Sequence, residues 1–160
     1  FESDTQEIEI IIHPEGIVHS LVEFKDNSII AQMGNPDMKI PIAYGLGFPD
    51  RIFSNVGSLN LSELGPLTFL DPDFDKFPCL GLAKEAMMVG GTAPTLLNAA
   101  NEVAVEAFLN QSIKYLDISK VISEVLERNE IKKVDNISSI KEVDSIARIS
   151  ADLIIKGLAA

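Results

Sequence analysis

Cysteine is nearly absent from this chain. Cys79 stands alone among Phe77, Pro78 and Leu80, and one thiol can build neither an internal disulfide framework nor a cysteine zinc site. It reads as a small core hydrophobe. Long apolar runs are also missing, since none approaches the roughly 20 residues that cross a bilayer. The opening Phe1-Glu2-Ser3-Asp4 has no basic region of the kind that starts a signal peptide. Together these shortages predict a soluble protein, and the lack of an initiating Met leaves any native targeting segment open. Basic residues are few, with 13 against 24 acidic ones for a net charge of −11. A field of that sign repels phosphates and anionic headgroups, so neither nucleic acid nor a membrane is an expected partner. Internal repeats and low-complexity tracts are lacking too.

What is present is enough apolar material for a core. The 160 residues are 46% hydrophobic and 23% charged, with a mean hydropathy of +0.19, far from the composition of disordered chains. The first third reads as β-structure. Ile8 to Ile12 and Ile17 to Phe24 are β-branched runs separated by His13-Pro14-Glu15-Gly16, and Ile29 to Met33 follows. Lys25-Asp26-Asn27-Ser28 suits a tight turn, which predicts an antiparallel hairpin. Ile17, His19 and Leu21 fall on one face of the middle run, and Val18, Ser20, Val22 and Phe24 on the other. Such a strand needs cover on both sides, and so short a segment cannot supply it.

Residues 34–53 are punctuated by Pro and Gly, and 54–76 read as an ordered connector. Beyond Lys76 the period becomes helical. Pro78 opens a helix to about Val89, ended by Gly90-Gly91, and Pro94 opens another to about Asn110, with Leu96, Leu97, Ala100, Val103, Ala107 and Phe108 as its buried stripe. Asp117 is the expected N-cap of a third, whose Ile118, Val121, Ile122, Val125 and Leu126 keep strict helical spacing. Ser139 with Glu142 has capping-box spacing for a last helix to Lys156, with Gly157 as its stop. The expected fold class is α+β: a hairpin segment at 1–53, a connector at 54–76 and a four-helix bundle at 77–160.

Chemistry is hard to find in these residues. His13 and His19 are the two histidines, and without a third ligand a metal site is not favoured over packing. Asp71-Pro72-Asp73-Phe74-Asp75 imitates a calcium loop, but Lys76 replaces the turn glycine and Leu82 the bidentate glutamate. Gly90-Gly91-Thr92 lacks the lysine and spacing of a phosphate loop and reads as a turn between helices. Asn98, Asn101 and Glu102 read as structural polar groups. No serine, histidine and carboxylate arrangement is legible.

A family resemblance goes further. Ile12-His13-Pro14-Glu15-Gly16-Ile17-Val18-His19-Ser20, then Ala31-Gln32-Met33-Gly34-Asn35-Pro36-Asp37-Met38 and Pro41-Ile42, resemble the later part of the 1-deoxy-D-xylulose 5-phosphate reductoisomerase catalytic domain. Leu67-Thr68-Phe69, Phe77-Pro78-Cys79-Leu80, Gly90-Gly91-Thr92-Ala93-Pro94 and Leu97-Asn98-Ala99-Ala100-Asn101-Glu102 continue the pattern in order. The resemblance implies a C-terminal portion of an enzyme that converts 1-deoxy-D-xylulose 5-phosphate to 2-C-methyl-D-erythritol 4-phosphate in non-mevalonate isoprenoid biosynthesis. It implies NADPH and Mg2+ or Mn2+ as cofactors of the parent enzyme. The metal carboxylates and nucleotide-binding domain lie upstream of the point matching Phe1, so no cofactor is expected on this chain and it is expected to be inactive alone. Carried over residue by residue, His19, Pro36 and Met38 line the substrate pocket, with no catalytic, cofactor or metal residue. Lys39 stands where arginine is common and Glu15-Gly16 where Gln-Ser is common. The resemblance further implies a homodimer through the strands, a partner in the missing N-terminal part, and a bacterial cytoplasmic or plastid-type location. The rival expectation is a non-catalytic helical module that pairs with another protein.

Overall fold

The computed structural model describes residues 8–158. It is an α+β protein with β1 at Val18–Glu23, β2 at Ile29–Met33, α1 at Lys39–Gly47, α2 at Cys79–Val89, α3 at Ala93–Leu109, α4 at Asp117–Arg128 and α5 at Ile137–Leu158. Two compact units divide it, one at Ile10–Pro72 and one from Asp73 onward. No helix among the described residues is long and apolar enough to cross a membrane.

In the first unit β1 and β2 pair antiparallel, as the Asp26-Asn27 turn predicts. Asn27 adopts φ 63°, its N–H donates to the Phe24 carbonyl, and the Phe24 N–H donates to the Ser28 carbonyl, both at 2.9 Å. Asp26 fixes the turn by accepting the Ser28 N–H at 3.0 Å. Two expectations change here. Ile8 to Ile12 forms no strand; Ile12 alone makes a bridge, exchanging two 2.9 Å bonds with Leu70. Its partner segment is bracketed by Pro66 and Pro72, which cannot donate to a ladder, so pairing does not propagate. Residues 39–47, read as punctuated loop, form α1. Pro41 sits in its first turn, where a missing N–H leaves no hydrogen bond unmade. No whole residue of Ile10–Pro72 is fully buried; among the described residues those that are lie between Ala86 and Ile155.

The second unit holds that core. α3 packs against α2, α4 and α5. On α4 the predicted stripe is realised, with Ile118, Val121, Ile122 and Val125 buried and Leu126 packed against them. Full burial of such side chains is worth about 1.5–3 kcal/mol each. On α3 the stripe is rotated: Ala93, Leu96, Ala99, Ala100 and Ala104 are buried, while Leu97, Val103, Ala107 and Phe108 are partly so. Alanines admit neighbouring backbones closely, which a stripe chosen by side-chain size overlooks.

Helix ends also differ from expectation. Asp117 lies inside α4 after the cap residue Leu116, and its carboxylate reaches back to the Lys114 N–H at 3.0 Å and the Lys120 ammonium at 2.7 Å. The box opening α5 is three residues earlier than Ser139 and Glu142. Asn136 Oδ1 accepts the Ser139 N–H at 2.9 Å, and Ser139 Oγ accepts the Asn136 N–H at 3.4 Å. Gly157 lies within α5 rather than stopping it.

The turn between α2 and α3 is clamped to the segment between α4 and α5. The Thr92 N–H donates to the Lys132 carbonyl and the Lys132 N–H to Thr92 Oγ1, both at 2.9 Å, with Thr92 fully buried. Gly91 beside it has φ 56°, and a Cβ there would be driven into the Lys132 carbonyl oxygen. Gly91→Ala is therefore expected to lower stability by about 2 kcal/mol or more. Gly81→Ala in α2, where an added Cβ meets open space, is expected to raise it by about 0.5–1 kcal/mol. Urea unfolding of the two variants checks this, and effects of the same sign contradict the clamp.

Candidate functional site

The three residues singled out by sequence all lie in the hairpin unit. His19 is the bulged position of β1: Val18 pairs with Met33 and Ser20 with Gln32, leaving His19 without a cross-strand partner. A bulge inserts one residue, breaks strict alternation and re-aims the side chain, so His19 does not simply share the face of Ile17 and Leu21. Pro36 and Met38 lie between β2 and α1, and both are exposed, Met38 at 71%. Their loop is pinned from beneath. The Gly34 N–H donates to the Ile17 carbonyl at 3.0 Å, Asn35 Nδ2 to the Gly57 carbonyl at 2.8 Å, and the Lys39 N–H to Asp37 Oδ1 at 2.8 Å. The Gly34 to Ile17 bond lies two residues before both Pro36 and His19, which ties the loop to the start of β1. No hydrogen bond or aromatic contact joins the three side chains directly among the described residues.

The histidine with a built environment is His13. Its side chain is 6% exposed and stacks on Phe69 with ring centroids 4.9 Å apart. Nδ1 is 2.7 Å from the Thr68 carbonyl and 3.0 Å from Glu15 Oε2. Both partners only accept, so Nδ1 carries a hydrogen. Nε2 is buried and has no partner among the described residues. Glu15 completes the lock by accepting the Thr68 N–H at 3.1 Å. Its carboxyl is held below its ordinary range, first by the Thr68 side chain and then by backbone N–H groups, with His13 adding a smaller effect. The lock binds the turn ahead of β1 to a segment 55 residues later. No local pattern could have announced it, because the partners are a backbone carbonyl and an aromatic face far along the chain.

Elsewhere the polar groups are structural. Glu102, Asn98, Asp144 and Arg148 form one network on α3 and α5, with Arg148 Nη2 donating to Glu102 at 2.6 Å and Nε to Asp144 at 2.8 Å. The Arg148 guanidinium and the Asn98 amide hold the Glu102 carboxyl below its usual range. An open apolar groove of about 480 Å³ lies beside Phe77, Cys79, Leu80 and Tyr115, and burial raises the Cys79 thiol. Neither feature pairs an acid with a base at hydrogen-bond distance around a cavity. Among the described residues no group of three or more His, Cys, Asp and Glu could hold a metal ion. The sheet is a two-stranded antiparallel hairpin, without the parallel strand, glycine turn and helix that seat a dinucleotide pyrophosphate. The described residues therefore fit neither a metal nor a nicotinamide cofactor by themselves.

Residues 33–150 match a family model described as the DXP reductoisomerase C-terminal domain. The chain is 51% identical over 151 residues to the 1-deoxy-D-xylulose 5-phosphate reductoisomerase of Methylobacillus flagellatus, covering 94% of this chain and 38% of that protein. It is 47% identical over 160 residues to the same enzyme of Cupriavidus necator, covering 100% and 41%. Among solved structures, the Zymomonas mobilis reductoisomerase in complex with NADPH superposes with a TM-score of 0.87 at 39% identity, covering 94% of this chain and 40% of that one. A DOX-P reductoisomerase in complex with NADPH, fosmidomycin and magnesium superposes with a TM-score of 0.85 at 44% identity, covering 91% and 38%. The chain thus spans about two fifths of the length of the relatives it matches.

The Glu15 lock gives a pH signature. Because the folded carboxyl lies below its ordinary 4.5, its contribution to stability is complete above that pH and is lost as pH falls through the lower folded value. Glu15→Gln is expected to flatten the fall in stability below pH 4.5 while leaving the profile above it unchanged in slope. Denaturant titrations at several pH values check this, and parallel profiles in both proteins would remove the lock.

Proposed function

The chain belongs to the 1-deoxy-D-xylulose 5-phosphate reductoisomerase family, and from that premise we propose that it serves as the C-terminal portion of an enzyme making 2-C-methyl-D-erythritol 4-phosphate for non-mevalonate isoprenoid synthesis. The observation that carries the proposal is identity near one half along almost the whole chain to proteins of that activity. In this reading NADPH and a divalent metal, Mg2+ or Mn2+, belong to the parent enzyme. The donor set for either group comes from the part of the relatives that this chain does not span. The residues 1–53 close the catalytic domain, 54–76 connect, and 77–160 form the helical domain.

Within that division the chain supplies shape. His19 at the bulge and Pro36 and Met38 on the pinned loop line the substrate pocket, with His19 hydrogen-bonding substrate or water and Met38 excluding solvent. The bonds at Gly34, Asn35 and Asp37 keep the loop from collapsing when its apolar side chains are exposed. Alone, the chain is inactive. Purified as 160 residues and supplied with NADPH, 1-deoxy-D-xylulose 5-phosphate and magnesium, it is expected to show no NADPH oxidation beside an active full-length relative. Turnover that copurifies with the chain through two orthogonal columns would contradict the assignment of the missing groups.

The hairpin is also proposed as the homodimer surface. Val22 and Ile30 are cross-strand partners exposed at 55% and 63%, and Leu21 and Ile29 are exposed as well. Two-sided exposure on so small a sheet is the condition that a second subunit relieves. Val22→Lys combined with Ile30→Lys is expected to shift sedimentation from dimer toward monomer at micromolar concentration. A parent chain already monomeric at that concentration would refute strand-mediated pairing.

A further inference from the structure

The outer side of α5 carries a row that the core does not use. Ile146, Ile149 and Leu153 are 45%, 61% and 62% exposed, whereas Val143, Ala147, Ala151, Ile154 and Ile155 of the same helix are buried. With 3.6 residues per turn, Glu142, Ile146, Ile149, Leu153 and Lys156 fall within an arc of about 80° and along about 21 Å of helix. Glu142 and Lys156 are exposed, and neither joins an ion pair among the described residues. Along the helix the row therefore reads acidic, three apolar, basic.

That order is self-complementary. Turned about a two-fold axis at Ile149, the row meets its own copy antiparallel: Ile149 faces Ile149, Ile146 faces Leu153, and Glu142 faces Lys156 at each end. Asp152, flanking the row, comes opposite Ser145 of the copy, so that carboxylate meets no like charge. A parallel arrangement would instead set Glu142 against Glu142 and Lys156 against Lys156. We infer that this face of α5 is a self-association surface and that its occupant is a second copy of the chain, antiparallel, with the axis at Ile149. The inference stands on α5 alone and does not depend on the enzymatic reading. A seam this short covers less than the roughly 1,200 Å² of a standard interface, so it belongs to the weak, concentration-dependent class. Geometry rather than affinity is its signature.

Site-directed cross-linking reads that geometry. In the 160-residue chain with Cys79→Ala, which removes its one native thiol, Ile149→Cys is expected to form a covalent dimer under mild copper-phenanthroline oxidation. Leu109→Cys on α3, exposed at 71%, serves as the control and is expected to cross-link several-fold less. Adding Glu142→Lys or Lys156→Glu singly replaces two attractive contacts by two repulsive ones and is expected to lower the cross-linking rate about fivefold, with the double reversal restoring it. Performing the series with Val22→Lys and Ile30→Lys present separates it from pairing through the hairpin. Cross-linking no faster than the control, or indifferent to the charge reversals, overturns the proposal. So does a full-length family enzyme carrying this helix in which the introduced thiol is shielded from maleimide without forming a covalent dimer, because another segment then covers the face.

Discussion

The helical unit depends on α3 being surrounded, and that depends on alanine. Ala99, Ala100 and Ala104 are fully buried, as are Ala147 and Ala151 on α5. Where side chains are this short, backbones come close and dispersion contacts accumulate over many atom pairs. Branched residues on α4, Val121, Ile122 and Val125, then fill the volume the alanines leave. The Thr92 to Lys132 clamp follows from the same constraint. Helices packed this tightly leave little room for loops, so the turn before α3 is pressed against the segment before α5, where only glycine fits at position 91. The polar network of Glu102 and Arg148 sits outside this core and orders it without being buried in it.

The hairpin unit has the opposite character. With no fully buried residue, Ile10–Pro72 cannot be stabilised by a core of its own, and two-stranded sheets are marginal without a covering layer. Local devices hold its shape instead: the Asp26 and Asn27 turn, the Ile12 to Leu70 bridge, the His13 lock, and the side-chain amide of Asn35 on Gly57. These fix backbone geometry, and of them only the His13 ring stacked on Phe69 buries much apolar area. Its apolar strand faces stay open, which is the condition that the proposed second subunit would relieve.

Features carried by short-range chemistry were legible in the sequence. The α4 stripe repeats every three or four residues, and an Asp-Asn pair between β-branched runs specifies a hairpin, so both appear where expected. Misreadings fall where two local signals compete. Asn136 and Ser139 each cap well, and only the reciprocal bonds between them decide that the helix begins earlier. Pro41 reads as a breaker unless its place in the first turn is known, which hid α1. Long-range features were closed to sequence reasoning: His13 finds Thr68 and Phe69, and the bulge at His19 emerges only from the register of two strands. His19 itself stands out through family motifs rather than through any intrinsic pattern.

The two histidines acquire different meanings from this. His13 has spent its Nδ1 on the Thr68 carbonyl and its ring face on Phe69, so it can no longer move freely or meet a substrate. Only five residues further on, His19 is left unpaired by the bulge and exposed. A histidine that must act on a ligand needs a backbone that does not shift when the ligand arrives, since misplacement by even an ångström erodes the interaction. The immobile His13 anchors the turn from which β1 departs, and the Gly34 to Ile17 bond anchors the loop that carries Pro36 and Met38 to the same stretch. His19, Pro36 and Met38, the residues proposed to line a pocket, thus share one support, built from backbone bonds and a buried ring rather than from a hydrophobic core. This is how a segment without a hydrophobic core of its own can still hold a defined backbone shape.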